Sequence, residues 1–154
     1  MADRGYTFEL VEGIALFLAA QQLDGVALAT YKPGGGYDAA DPRPVYWRTG
    51  SEAFDEIWQI NALMPVAGPA NGVVTPVQIM YRGARNAPDR YASRIVDALT
   101  DAFHPGGFPR VHTTFGRVPI GFVGRPTGGQ LPDDGNKRVR YSLTYQFRGK
   151  RVVV

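Results

Sequence analysis

The chain has 154 residues, of which 44% are hydrophobic, so it can bury one core and is expected to form a single domain over residues 1–154. It contains no cysteine, which excludes a disulfide framework, a thiolate zinc site and a cysteine nucleophile. The net charge of +3 divides unevenly: residues 1–109 carry 8 Lys or Arg against 12 Asp or Glu, and residues 110–154 carry 9 against 2. The basic end predicts either a nucleic-acid surface or contact with an acidic part of another subunit, and the small total favours the second.

The amino-terminal sequence has no basic region followed by a long apolar stretch, and no run of about 18 apolar residues occurs in the chain. We therefore expect neither a conventional secretion signal nor a membrane span. The 19 glycines and 12 prolines exceed average usage and predict long, sharply turned loops on a folded frame.

The amino-terminal third combines one periodic segment with one irregular segment. Apolar residues at helical spacing predict an amphipathic helix over residues 8–22, with Thr7 as its cap and Asp24-Gly25 as its end. A short apolar run over residues 26–31 could form a strand. Residues 33–44 contain too much Gly, Pro and Asp for regular structure and predict a loop.

The middle of the chain is typical of strands. Residues 45–48 read as a strand ended by Thr49-Gly50, and residues 55–64 fit either a helix or a strand, of which we favour the strand. After a loop over residues 65–71, residues 73–82 predict the clearest strand of the chain, with Val77, Ile79 and Tyr81 facing one way and Gln78, Met80 and Arg82 the other.

The last part of the chain predicts one helix and two strands. An apolar stripe over residues 89–103 predicts the helix, and strands are expected over residues 118–125 and 138–148, joined by a turn at 133–136. The order of elements predicts an α+β fold in which two helices pack on one face of a mostly antiparallel sheet of about five strands.

Motifs for catalysis are missing from the sequence. It has no phosphate-binding G-x-x-x-x-G-K-[ST] loop and no G-x-S-x-G nucleophile elbow. We interpret His104 and His112 as helix-end or surface residues and not as a metal pair, and Asp133-Asp134 as a hairpin turn and not as a calcium loop. We expect no catalytic, cofactor-binding or metal-binding residue.

The last strand has two contrasting faces. Tyr141, Tyr145 and Phe147 could stack on nucleic-acid bases, but they alternate in phase with Val139 and Leu143, which favours core packing. The opposite face carries three of the chain's 14 arginines, namely Arg138, Arg140 and Arg148. This basic face is expected to be solvated, to contact another subunit or to face DNA.

Four strings of the sequence, read with the order of elements, carry a resemblance to a known family. They are Val77-Gln78-Ile79-Met80-Tyr81-Arg82-Gly83 before the second helix, Gly121-Phe122-Val123-Gly124-Arg125-Pro126, Asp133-Asp134-Gly135-Asn136-Lys137-Arg138, and the strand Tyr141-Ser142-Leu143-Thr144-Tyr145-Gln146-Phe147. Over nearly its whole length the sequence resembles the tail terminator proteins of long-tailed bacteriophages, which are also described as minor capsid or tail completion proteins.

The resemblance implies a structural virion protein that is not an enzyme and has no cofactor. Members of the family form a ring, typically a hexamer, on the last ring of the tail tube, end its polymerisation and provide the surface that joins the head. The implied partners are other copies of the chain, the tail tube protein, the head-tail connector or head completion protein, and genomic DNA that passes without sequence-specific binding; no membrane is involved. The implied location is the head-tail junction of the virion, with the host cytoplasm during assembly.

We expect two groups of residues to serve this role. Subunit contacts or the channel lining are predicted at Arg82, Arg125, Arg138, Arg140 and Arg148. The loop with Gly34, Gly35, Gly36 and Tyr37 is predicted to be mobile in the free protein and to become ordered against a partner ring. The alternatives are a head-tail connector or head completion protein, or a small single-stranded nucleic-acid-binding module.

Overall fold

The computed structural model describes residues 5–47, 54–68 and 72–154. In chain order the elements are α1 (Tyr6–Ala19), β1 (Gln22–Leu23), β2 (Val26–Ala27), β3 (Val45–Trp47), β4 (Ile57–Ala62), β5 (Val66–Ala67), β6 (Val73–Arg82), α2 (Asp89–Phe103), β7 (Val111–Phe115), β8 (Val118–Val123), β9 (Thr127–Leu131) and β10 (Arg140–Gly149). The α+β class with two helices is confirmed for the described residues.

The main sheet has eight strands and not about five, so the predicted strand number is wrong. Its path runs β3-β4-β6-β10-β8-β7, with β5 added beside β6 and β9 beside β10. All pairings in it are antiparallel except β3 with β4, which is parallel. Strands β1 and β2 form a separate two-stranded ribbon.

Several predicted bounds change at the amino end. The first helix begins after Gly5 and stops at Ala19, so Thr7 is an exposed residue of its first turn and not its cap. Asp24 and Gly25, both at positive φ, make the turn of the β1-β2 ribbon instead of ending the helix. Residues 48–50 of the predicted strand end lie outside the described residues.

The strand predicted over residues 73–82 and the helix over residues 89–103 are confirmed with the predicted bounds, and β4 confirms a strand within residues 55–64. On β6, Val77, Ile79 and Tyr81 are buried while the residues between them are not, as the predicted alternation of this strand requires. This pattern turns one face of the sheet toward the core.

The sheet curls around α1. This helix contacts β4 at one side of the sheet and β7 and β8 at the other, so the strands between them must bend over it. At Gly13 the helix packs against the backbone of Phe115, the last residue of β7, and of Gly116 in the turn that follows, a contact that leaves no room for a Cβ atom. The second helix packs on β10, where the ring centroids of Phe103 and Tyr145 lie 4.8 Å apart. Both helices therefore share the inner face of the sheet with the core.

Candidate assembly surfaces

At its centre the outer face of the sheet, opposite the helices, is uncharged and combines polar side chains with Met80 and Pro76 of β6. Alternation along β4, β6 and β10 places six amide and hydroxyl side chains there, and we call them the open face: Gln59, Asn61, Gln78, Ser142, Thr144 and Gln146. Gln78 Nε2 donates a hydrogen bond to Ser142 Oγ at 2.9 Å across the β6-β10 pair. The open face thus presents half-buried amide and hydroxyl groups without fixed charge, although Asn61 Oδ1 is itself buried.

Arginines lie at one end of the open face. Arg82 and Arg140 are direct register partners on β6 and β10. Arg82 Nη2 donates to the Phe54 carbonyl at 2.6 Å, and Arg140 Nη2 donates to the Pro132 carbonyl at 2.8 Å. The two side chains help to line a cavity of about 270 Å³. Backbone carbonyls thus orient two neighbouring guanidinium groups at this end of the sheet.

Arg138 does not belong to this surface. It precedes β10 and is fully buried, so the expectation that it shares an exposed face with Arg140 and Arg148 is wrong. Its guanidinium lies 3.1 Å from Asp55 Oδ1 and 3.8 Å from Asp134 Oδ2. Arg138 therefore joins the segment before β4 to the turn before β10.

The turn before β10 is held by Asp134. Its Oδ1 accepts the backbone N–H groups of Asn136 at 2.9 Å and Arg138 at 3.0 Å. Burial raises the pKa of Asp134, but these N–H groups and the charges of Arg138 and Arg82 outweigh it and hold the pKa below its usual value. Hydrogen bonds and an ion pair of the Asp134 carboxylate therefore hold the predicted turn at 133–136 in its conformation.

Arg148 stands at the other end of the open face, beside a larger groove. Its guanidinium lies 5.4 Å from the centroid of the Phe122 ring, which is its register partner on β8. Arg125 lies apart from the open face, in the β8-β9 connection, where it donates to the Gly107 carbonyl at 3.3 Å. The predicted site arginines are therefore divided between two ends of the sheet, one loop and the interior.

The glycine-rich loop lies beside β3, at the edge of the sheet. Gly34, Gly35 and Gly36 all have positive φ and open space around them. Tyr37 anchors the loop by donating from its hydroxyl to the Val45 carbonyl at 2.6 Å, and burial, the largest influence, raises its pKa. Lys32 closes the loop through ion pairs to Asp38 and Asp41. The loop is exposed at its tip and fixed at its base.

A buried polar cluster around Arg43 was not predicted from the sequence. Arg43 Nε donates to the Leu28 carbonyl at 2.7 Å and Nη1 donates to the Tyr91 hydroxyl at 3.0 Å. Glu56 lies 3.8 Å from Arg43 and accepts a hydrogen bond from Tyr81. Burial, followed by the charge of Glu56, raises the pKa of Tyr81 far above its usual value. Because Arg43 is only 6% exposed, we interpret the cluster as a structural clamp.

The two histidines lie in different environments, one buried and one exposed. His104 ends α2, which confirms the helix-end interpretation, but it is buried there with Nε2 3.0 Å from the Val123 carbonyl, so surface exposure is wrong for it. His112 is exposed in β7 at a positive φ of 49°. Among the described residues no three His, Asp or Glu side chains are grouped as metal ligands, and none of the described helices is long and apolar enough to cross a bilayer.

The aromatic residues of the last strand pack in the core, as favoured from the sequence. Tyr145 and Phe147 are fully buried, and the Tyr145 hydroxyl lies 3.2 Å from Thr100 Oγ1 of α2. Burial raises the pKa of Tyr145 to about 12. These rings have no face available for a nucleic-acid base.

Comparison of the chain with protein-family models and with curated proteins found no match.

Proposed function

We propose that this chain forms a closed ring at the end of a bacteriophage tail tube, where it ends tube polymerisation and joins the tail to the head. The proposal follows the resemblance of the sequence to tail terminators. The open face is the observation in the fold that supports it best, because a ring through which DNA passes needs a lining of this chemistry.

The open face suits the passage of a polyanion. Each cation that pairs with a phosphate strengthens binding, so a lining dense in Lys and Arg would retain DNA. The open face presents amides and hydroxyls at its centre and keeps Arg82, Arg140 and Arg148 at its ends. Water-mediated contacts to such groups exchange readily, and the DNA can slide past.

The nucleic-acid-binding alternative has less support. It depends on stacking by aromatic side chains of β10, and Tyr145 and Phe147 are buried under α2. The connector alternative shares the proposed architecture and differs in ring symmetry and in the part of the virion that it binds.

The proposal is tested by imaging and by polymerisation. Purified protein, concentrated until larger species sediment, is expected to give rings with six-fold symmetry and a central opening in negative stain. Added to polymerising tail tube protein of the same phage, it is expected to stop tube growth. Rings of another symmetry that bind heads and leave tube growth unchanged would support the connector, and a monomer whose DNA affinity falls steeply with salt would support the nucleic-acid binder.

Charge reversal tests two of the three arginines at the ends of the open face. We expect Arg140→Glu and Arg148→Glu together to impair ring formation or virion assembly while the circular dichroism spectrum stays that of the wild type. Arg90→Glu, at an exposed position of α2, is the matched control. If the double variant assembles as well as the control, these arginines are solvated surface.

A further inference from the structure

An apolar groove with a basic rim lies on the outer side of β8 and β10, next to the carboxyl-terminal residues. Its volume is about 670 Å³. Side chains or backbone of four strands and of the carboxyl-terminal segment form it, among them Val73 of β6, Thr114 of β7, Phe122 of β8, Gly149 of β10 and Val152 of the segment that follows. We call this the outer groove. A cavity of this size and lining takes a short peptide segment readily.

The rim of the outer groove is positively charged. Arg148 and Lys150 line it and are exposed, and no Asp or Glu is among its lining residues. Neither cation has a carboxylate partner within the described residues. An exposed carboxylate on an occupant would complement the charge of the rim, and small side chains or backbone could lie against the apolar floor.

The glycine-rich loop, residues 33–41, has these properties. Its exposed residues are small or acidic: Pro33, Gly34, Gly35, Gly36, Asp38, Ala39 and Ala40. The Asp38 side chain is 80% exposed although its carboxylate pairs with Lys32. The loop therefore presents a carboxylate on a tip whose backbone can approach a neighbour closely.

Loop and groove lie at opposite ends of one sheet. The loop adjoins β3, the first strand of the path, and the groove lies over β8 and β10 near its other end. With about 4.8 Å between neighbouring strands, the path from β3 to β7 spans about 24 Å. Two different, complementary patches on opposite flanks are what a head-to-tail interface requires, and such an interface closes into a ring when its rotation permits.

We propose that the glycine-rich loop of one copy docks in the outer groove of the next copy, with Asp38 facing Arg148 and Lys150. This inference rests on the proposed ring function and names the contact that would build it. The occupant is a second copy of this chain, so each copy gives its loop to one neighbour and receives the loop of the other.

The absence of native cysteine makes a direct cross-linking test possible. The double variant Ala39→Cys with Val152→Cys, assembled and treated with a short bismaleimide, is expected to give a ladder of covalent oligomers up to the full ring. Each single variant is expected to stay monomeric on a denaturing gel, because a head-to-tail contact never brings a position against itself. A mixture of the two single variants should stop at the dimer. Ala39→Cys with Asn136→Cys, at the far end of β10, is the matched control pair.

A charge exchange tests the same contact without cross-linking. Asp38→Lys and Lys150→Glu are each expected to weaken ring association by about tenfold, because like charges then face each other, and the two together should restore it. Asp101→Lys, on an exposed position of α2, should leave association unchanged.

The outcomes separate this inference from the function on which it rests. Wild-type ring formation is scored first, and a chain that forms no ring at any concentration refutes the proposed function together with this contact. Rings that form but give no ladder, or single variants that cross-link as well as the double, refute the contact alone. Failure of the charge exchange to restore association also overturns it.

Discussion

Replacement of Arg138 by methionine provides the sharpest test of the buried ion pair. Arg138 is fully buried between Asp55 and Asp134, whereas Arg140, two residues further on, bonds at the surface to a backbone carbonyl. Arg138→Met keeps most of the side-chain length and removes the charge. Arg140→Met makes the same chemical change at a half-buried position on the outer face of the sheet and is the matched control.

The expected loss of stability follows from the environment of the two partners. Removing one member of a buried ion pair costs about 3–5 kcal/mol, because a charge is left without compensation. Asp55 and Asp134 retain 44% and 20% side-chain exposure, so the carboxylates left behind stay partly hydrated. We therefore expect the lower figure, about 3 kcal/mol, which corresponds to a fall of about 6–12 °C in Tm for a chain of this length. The control should lose about 1 kcal/mol or less.

The assay is equilibrium unfolding in urea at pH 7, followed by the fluorescence of the buried Trp58. Combining Arg138→Met with Asp55→Ala should cost less than the sum of the single changes, because each removes the same contact. The reasoning is refuted if Arg138→Met lies within about 1 kcal/mol of the wild type, or if Arg140→Met is equally destabilising.

Three further predictions concern packing and pH. Gly13→Ala should destabilise the fold by about 1–3 kcal/mol in urea unfolding, although alanine favours helices, because its Cβ would overlap the Phe115 backbone; Gly135→Ala, with open space around it, should be neutral. The pKa of Tyr145 is raised to about 12, so its contribution to the free energy of unfolding is complete below about pH 10. Between about pH 10 and pH 12 this contribution should fall by about 1.4 kcal/mol per pH unit, and Tyr145→Phe should flatten that fall. The pKa of Asp134 is lowered despite its burial, so its contribution is present above about pH 4 and is lost as the pH falls below this value; unfolding measured in acid should show a weaker pH dependence in Asp134→Asn.

The sequence predicted best those elements whose pattern is set by burial on one side. The bounds of β6 and α2 were correct because the alternation around Val77, Ile79 and Tyr81 indicates the strand and an apolar stripe indicates the helix. Strand β9 was missed because Gly128 and Gly129 read as loop residues, and it exists through its pairing with β10. Strand β7 was missed because Phe115 is its one buried residue, so no apolar face marks the strand in the sequence.

The candidate surfaces could be predicted only in part. Alternation placed Arg140 and Arg148 on the outer side of β10 correctly, but it was extended to Arg138, which precedes the strand and turns inward to Asp55. The outer groove left no signal in the sequence, since its lining comes from strands that are distant in the chain. The Arg43 cluster likewise depends on partners brought together by the fold.

The enclosure of α1 by the sheet has a consequence for the synthesis of the protein. This helix leaves the ribosome well before the strands β7 and β8 that cover one of its sides, because these strands end near residue 123. At a synthesis rate of about 5–20 residues per second, the apolar stripe of α1 stays uncovered for about 5–20 s until these strands have been made. Contacts as distant as Tyr6 with Thr75, whose hydroxyls lie 2.7 Å apart, must then close long loops before the core forms. The chain should therefore fold late and slowly, and until it folds its apolar surface is exposed to aggregation and to binding by chaperones.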